Sequence, residues 1–161
     1  MIKILLIALV IYLLVVLRGR IRLPHPGLQA TVDVLTAADL SDKEVQRMAA
    51  QYIRYSDAQS CVAAEDDPYA VRLAALTDRF VAVNGIPLNF KVYKTDAINA
   101  FATADGSIRV FSGLMDRMDD QQLLAIVGHE MGHVRNHDTI GAMRKAYLAS
   151  AARNALGAVG G

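Results

Sequence analysis

Apolar side chains recur at the helical period in two segments of the first half of the chain. Ser41 and Glu44 form an S-x-x-E capping box, and apolar residues follow at i, i+3, i+4, i+7 and i+8. A second helix is expected to begin near Pro68 and to end at the pair Asn84-Gly85. The first stripe consists of Val45, Met48, Ala49, Tyr52 and Ile53, and the second of Tyr69, Leu73, Leu76, Phe80 and Val83. Both helices are most simply interpreted as scaffold.

The period then changes from helical to alternating. Residues 86–94 alternate apolar with polar side chains, and residues 107–113 do the same up to a turn that ends at Gly113. Between them Ala104-Asp105-Gly106 is a tight-turn signal, so residues 98–111 are expected to form a hairpin. Helices precede and follow these strands. The pattern therefore predicts an α+β fold with a small, mostly antiparallel sheet.

The N-terminus carries an unbroken apolar run, residues 4–17, between Lys3 and Arg18. Counted from the first residue, the apolar helix would reach ~26 Å at ~1.5 Å per residue, close to the ~30 Å of a hydrocarbon core. The run continues into arginines rather than into small residues, which disfavours a cleaved signal peptide. We therefore expect a transmembrane anchor at residues 1–17 and a linker at residues 18–40.

Composition and charge narrow the class of function. With 53% hydrophobic and 20% charged residues in 161, the chain is expected to form one globular domain after the anchor. The formal net charge of +1 gives no electrostatic footprint for nucleic acid. Cys61 is the only cysteine, which excludes an intrachain disulfide and a cysteine-rich metal site.

Residues 126–138, IVGHEMGHVRNHD, contain three of the four histidines. On a helix, residues four apart are stacked, so His129 and His133 can present two imidazoles to one metal ion. Glu130 lies ~100° around the helix, beside the open coordination positions, where a general base belongs. With four histidines and three glutamates in 161 residues, about 0.002 chance matches to H-E-x-x-H are expected. The pattern predicts one Zn²⁺ per chain rather than an accident on an ordinary helix.

The helix around this motif has two further features. Asp119 and Gln122 form a cap-like pair at its start. Gly128 and Gly132 are four residues apart on one face, and each costs the helix ~1 kcal/mol relative to alanine. Such a pair suggests that another backbone approaches the helix closely at that face.

A catalytic zinc needs a third protein ligand, and the sequence does not reveal one. After His133 the remaining His, Asp, Glu or Cys side chains are His137 and Asp138. His137 would lie ~80° around the helix from His129, which fits a tetrahedral site badly.

Three linked motifs together resemble a known family of peptidases. They are NAFA at residues 99–102, RVFSGLMD at 109–116 and QLLAIVGHEMGHVRNHD at 122–138. Their ordered match, over about residues 86–145, resembles the membrane-associated gluzincins that include HtpX and the CAAX prenyl protease, most nearly their LoiP-like periplasmic members. The resemblance implies a zincin-like domain and a zinc endopeptidase, with His129 and His133 as ligands and Glu130 as catalytic base.

The resemblance also implies where substrate binds and where the protein is located. Asn99, Ala100 and Phe101 would line the cleft, where a protein or peptide substrate adds as a further strand. Plain strand and turn structure is the alternative for the same residues. The family favours the periplasmic side of a bacterial inner membrane, against a slight charge bias toward the cytoplasm.

In the family the third ligand is a glutamate on a downstream helix. Here an alanine-rich helical stretch occupies residues 146–161, so residues 41–161 are expected to be the N-terminal, incomplete part of a peptidase domain. Two functions remain open, and the sequence does not specify an oligomeric state. One is a membrane-anchored zinc endopeptidase involved in protein quality control. The other is a truncated or degenerate homologue that binds metal weakly or a partner protein; a metal-free membrane regulator is a weaker third idea.

Overall fold

The computed structural model describes residues 40–159, with side chains as far as Arg153. The predicted anchor, residues 1–17, and all but the last residue of the predicted linker lie outside the described residues. Within the described part, no helix has the length and apolar character needed to cross a membrane. The elements are α1 (Asp42–Gln59), α2 (Pro68–Thr77), β1 (Ala82–Val83), β2 (Ile86–Pro87), β3 (Asn89–Tyr93), β4 (Ala100–Ala102), β5 (Ser107–Phe111), α3 (Ser112–Met115), α4 (Asp120–Arg135) and α5 (Asp138–Val159).

Residues Asp42–Met143 form one compact unit, which contains every candidate site residue. Leu40, Ser41 and the part of α5 from Arg144 onward belong to a second unit. Within that second unit the Arg144 guanidinium donates to the backbone carbonyl of Leu40 at 2.8 Å. The description below concerns the compact unit.

The predicted first helix is confirmed, and its core face is the predicted one. Val45, Ala49 and Ile53 of α1 are buried, whereas Tyr52 remains 53% exposed. The second helix also begins as predicted at Pro68, with the side chain of Asp67 as its N-cap. Proline suits this position because the first N–H of a helix has no intrahelical acceptor.

The predicted end of the second helix is wrong. Helix α2 stops at Thr77, and the Asn84-Gly85 pair instead joins the antiparallel strands β1 and β2. Asn84 and Gly85 have φ angles of 48° and 76°. Two successive positive φ values favour a tight hairpin turn, which matches the twist of the strands it connects. The helical spacing of Phe80 and Val83 therefore did not reflect a helix.

The main sheet has three strands in the order β3-β5-β4. The predicted hairpin is confirmed, since β4 and β5 pair antiparallel. The prediction of a mostly antiparallel sheet is only half right here, because β3 pairs with β5 in parallel, from Asn89 opposite Ser107 to Tyr93 opposite Phe111. Alternation identifies the faces of a strand but not its neighbours, and β5 inserts between two strands that precede it.

Strand β5 is the centre of the fold. Ser107 to Val110 are buried, so the strand is covered on both faces. Helix α4 contributes two fully buried residues to the core that surrounds it. The buried cluster comprises Leu73, Val92, Ile108, Val110, Leu114, Met115, Leu123 and Val127. This core joins α2, the sheet and the helix that carries the histidines.

A buried ion pair connects β5 to α1. The Arg109 side chain is 2% exposed, and its guanidinium donates to both carboxylate oxygens of Asp57, at 2.8 and 3.0 Å. Tyr93 and Lys91 donate to the same carboxylate at 2.7 and 3.0 Å. Burial alone would raise the pKa of Asp57, but the hydrogen bonds from Arg109, Tyr93 and Lys91 outweigh it and lower this pKa to about 2. Periodicity had given no sign of a buried arginine.

We expect Asp57→Asn to lower the free energy of unfolding by about 3 kcal/mol at neutral pH, because it leaves Arg109 buried without its anion. The folded-state pKa of Asp57 lies below its ordinary value of 3.8. Its contribution is therefore complete above about pH 4 and is lost as the pH falls toward about 2. Urea titrations should show wild type and variant converging in that window. A constant difference down to about pH 2 would contradict the assignment.

Candidate metal centre

The helix that carries the HExxH residues has a well-defined start. Asp119 accepts a hydrogen bond from the backbone N–H of Gln122 at 2.8 Å, and the Gln122 side chain accepts from the N–H of Asp119 at 3.0 Å. This is a complete capping box, as the sequence predicted. It fixes where α4 begins and therefore the direction in which each later side chain points.

Arg72 of α2 fixes the loop before this start. Its guanidinium donates to the carbonyls of Met115 and Met118, each at 2.7 Å, and to the carboxylate of Asp120 at 2.8 Å. One planar group thus binds both ends of the short loop and the first residue of α4. The loop is thus held to α2, which also contacts α4 and β3.

The rotation of α4 is set by its buried residues. Leu123, Val127 and Val134 are 0 to 1% exposed, and at ~100° per residue they fall on one stripe. The same geometry places His129 and His133 ~120° from the centre of that stripe, with Glu130 between them and the core. Burial of the apolar stripe therefore turns both imidazoles out of the core.

The two imidazoles converge. The Nε2 atoms of His129 and His133 are 3.0 Å apart, and the ring planes lie at 80° with centroids 4.5 Å apart. Two nitrogens bound to one zinc ion at ~2.0–2.1 Å in tetrahedral geometry are ~3.3 Å apart. A displacement of a few tenths of an ångström would admit the ion, so this donor pair fits zinc in kind and in spacing.

Glu130 lies next to this pair and is half-buried. Within residues 40–153 it makes no hydrogen bond or ion pair. An unengaged carboxylate beside two converging imidazoles is available to accept a proton from a water molecule.

His137 does not join the pair. Its φ is 59°, and its Nδ1 atom lies 3.5 Å from a carboxylate oxygen of Asp42 on α1. In the part of the chain that the structure describes, no group of three or more His, Cys, Asp or Glu side chains is arranged to hold a metal ion. The described residues thus bring together His129, His133 and Glu130 and supply no third ligand.

From the sequence, Asp138 was considered only as a possible third zinc ligand. In the structure its Oδ2 atom lies 3.1 Å from Nδ1 of His133, on the side of the ring opposite Nε2. Asp138 is therefore a hydrogen-bond partner of a candidate ligand. The only sequence signal for this contact was a carboxylate just beyond the HExxH motif. The position of the Asp138 carboxylate depends on a break in the helix, which the helical period does not predict.

The expected close backbone approach at Gly128 and Gly132 is wrong for the described residues. A Cβ atom added at either position would meet no described atom within 4 Å. The face of α4 on which they lie is open space. Nothing in the described part explains the choice of glycine there by packing.

Strand β4 is an edge strand and packs against α4. The Asn99 carbonyl accepts from Phe111 at 3.0 Å, and Thr103 donates to Ser107 at 2.9 Å, so alternate backbone groups point toward β5. By the antiparallel alternation, the N–H and C=O groups of Ala100 and Ala102 point away from it. The strand therefore presents an open backbone edge.

This combination of folded domain, HExxH helix and edge strand is that of a metallopeptidase. The chain belongs to peptidase family M48, whose family model matches residues 67–160. This confirms the family resemblance seen in the three motifs.

Its relatives include two metalloproteases of Escherichia coli strain K12. It is 37% identical to metalloprotease YcaL over 136 residues, which cover 84% of this chain and 54% of the relative. It is 38% identical to metalloprotease LoiP over 135 residues, which cover 83% of this chain and 54% of the relative. A protease HtpX homologue of Acidiphilium cryptum is 35% identical over 85 residues, 50% of this chain and 30% of the relative. The chain thus spans about half the length of YcaL and LoiP.

We expect Gly128→Ala to raise the free energy of unfolding by about 0.8–1.0 kcal/mol, because alanine lowers the backbone entropy cost and its methyl group has room. Gly113→Ala is the matched control, since a Cβ there would meet the backbone carbonyl of Asp96. We expect Gly113→Ala to lower the free energy of unfolding by about 1–3 kcal/mol. Denaturant titration measures both, and a destabilised Gly128→Ala would show that something does pack at this face.

Proposed function

We propose that this chain is the part of a membrane-anchored, zinc-dependent endopeptidase that carries the HExxH helix, with protein substrates. The observation that carries the proposal is the 3.0 Å convergence of the His129 and His133 Nε2 atoms on one helix, with Glu130 unengaged beside them. Membership of peptidase family M48 and the metalloprotease names of its relatives support it.

In this proposal His129 and His133 bind one Zn²⁺ per chain through their Nε2 atoms. Zinc, when bound, would supply the Lewis acidity that acidifies a water molecule and polarises a peptide carbonyl. Glu130 takes the proton from the attacking water and later delivers it to the departing amine. A carboxylate serves both steps because it is close to the scissile bond and returns to its starting state.

The site needs a third protein ligand, and the family resemblance assigns it to a glutamate on a helix downstream of the matched segment. In a zincin-like domain that helix would pack near α4. The coverage of only 54% of YcaL and of LoiP is in keeping with a ligand beyond the matched residues.

We propose that substrate binds as an added strand along β4, with Asn99, Ala100 and Phe101 as contact residues. The outward backbone groups of Ala100 and Ala102 are the hydrogen-bonding edge, and Asn99 is exposed at its start. The Phe101 ring packs edge-on against Tyr93 and Phe111. It also borders a cavity of about 370 Å³ that could receive an apolar substrate side chain; the cavity is lined by Tyr52, Phe101, Ala102, Thr103, Thr139, Ala142 and Met143.

For the remainder of the chain we propose an anchor at residues 1–17, a linker at 18–40 and a peptidase domain from residue 41 onward. The apolar run flanked by basic residues supports the anchor. The family resemblance supports a bacterial inner membrane with the domain on the periplasmic side, and substrates that are unfolded or membrane-associated.

A second candidate function is a non-catalytic homologue that binds metal weakly or a partner protein. The observation in its favour is that the described residues contain no group of three metal-binding side chains. Chelator-sensitive cleavage of unfolded casein by the homogeneous chain would exclude this candidate. Zinc binding without cleavage by a protein that also contains the downstream ligand helix would favour it over the endopeptidase.

In a protein that also contains the downstream ligand helix, we expect Glu130→Gln to bind zinc as tightly as wild type but to hydrolyse casein 10² to 10⁴ times more slowly, because only the proton acceptor is lost. Metal content by atomic absorption and fluorogenic cleavage assays measure the two effects separately. Replacing Glu65, an exposed carboxylate outside the site, by glutamine is the control and should change neither. Full activity of a zinc-loaded Glu130→Gln chain would refute the assignment.

We expect Ala100→Pro to weaken peptide binding about tenfold, since one outward N–H donor is removed. The pairing of β4 with β5 should survive, because proline is tolerated at the first residue of an edge strand. Ala100→Gly retains the donor and is the control. Fluorescence anisotropy of a labelled peptide with the Glu130→Gln chain reports affinity without cleavage. Equal affinities for the two Ala100 variants would rule out strand addition at this edge.

A further inference from the structure

The chain bends sharply just beyond the HExxH motif. Helix α4 ends at Arg135 and α5 begins at Asp138, while His137 between them has a φ of 59°. In an uninterrupted helix Asp138, five residues after His133, would lie ~140° around the axis from it. The bend instead brings the Asp138 carboxylate to 3.1 Å from Nδ1 of His133. The contact therefore exists only because the helix is broken.

Contacts with two other elements hold this break in place. Asn84, in the β1-β2 turn, donates to the carbonyl of Arg135 at 2.9 Å, which satisfies a carbonyl at the end of α4. His137 faces Asp42 of α1 at 3.5 Å. On either side of the break, Val134 and Ile140 are 1% and 2% exposed, so both helix ends are fixed in the core.

From this geometry we infer that Asp138 is a positioning residue for His133, which it holds in the tautomer with the proton on Nδ1 and the lone pair on Nε2. An ionised carboxylate can only accept a hydrogen bond, so Nδ1 must be the donor. Nε2 is then left with the lone pair that metal coordination requires. The Asp138 contact also fixes the rotation of the ring.

In the metal-free chain the two histidines consequently differ in which ring nitrogen carries the proton. With its lone pair on Nε2, His133 can only accept across the 3.0 Å contact, so the proton there belongs to Nε2 of His129. His133 is already in the metal-binding form, whereas His129 must move its proton to Nδ1. The tautomer of His133 is a property of the metal-free chain; its consequence for zinc rests on the function proposed above.

The test uses the metal-free 161-residue chain labelled with ¹⁵N-histidine, at mildly alkaline pH. Long-range ¹H–¹⁵N correlation spectra distinguish the two tautomers of each ring. We expect the proton of His133 on Nδ1 in wild type, and a shift toward the Nε2–H form in Asp138→Ala. Zinc affinity, measured by competition with a chromophoric chelator, should fall 10- to 100-fold in the same variant.

Two comparison variants separate positioning from general effects. Asp66→Ala removes an exposed carboxylate outside the helix break and should leave the tautomer of His133 unchanged. Asp138→Asn retains an acceptor oxygen and should recover part of the zinc affinity lost in Asp138→Ala. Circular dichroism establishes that each variant is folded.

The outcomes distinguish this inference from the proposed function. An Nε2–H tautomer of His133 in wild type, or no change in Asp138→Ala, would overturn the inference. If zinc binds both chains equally, the positioning role is wrong although the zinc site stands. If wild type has the Nδ1–H tautomer yet binds no zinc, the proposed function and the positioning role both fail.

Discussion

The position of the two histidines depends on the burial of one stripe of α4. Leu123 and Val127 pack into the core around β5, and their removal from water is the main favourable term that holds the helix in place. Because a helix turns ~100° per residue, fixing this stripe also fixes the outward direction of His129 and His133. Any rotation of α4 that displaced the imidazoles would expose apolar side chains, so the core itself aligns the candidate metal centre.

Polar contacts then determine where α4 starts and stops. The capping box at Asp119 and the guanidinium of Arg72 fix its first turn. The amide of Asn84 binds a carbonyl at its last turn. Each contact is modest alone, but together they limit sliding along the helix axis, which the non-directional hydrophobic effect does not. Both kinds of restraint together fix where the two converging imidazoles lie relative to the sheet.

The candidate site has the buried core on one side and solvent-accessible groups on the other. His129 is exposed, Glu130 and His133 are only half-buried, and β4 leaves the backbone groups of Ala100 and Ala102 unused by β5. Such an arrangement suits a ligand that is itself an extended chain, because backbone hydrogen bonds select for extended conformation with little regard to sequence. It accords with family M48 and with relatives named as metalloproteases.

The sequence by itself determined most of the elements and the donor set, although it placed the end of α2 wrongly. Helical spacing located α1 and α4, the Asp-Gly turn located the β4-β5 hairpin, and H-E-x-x-H specified two imidazoles and a carboxylate, because these features depend on residues close together in the chain. Tertiary structure alone decided that β3 pairs in parallel with β5, that Arg109 is buried with Asp57, and that a bend at His137 turns Asp138 toward His133. Those outcomes depend on contacts between residues distant in sequence or on a left-handed backbone at a non-glycine residue. Neither leaves a periodic signal.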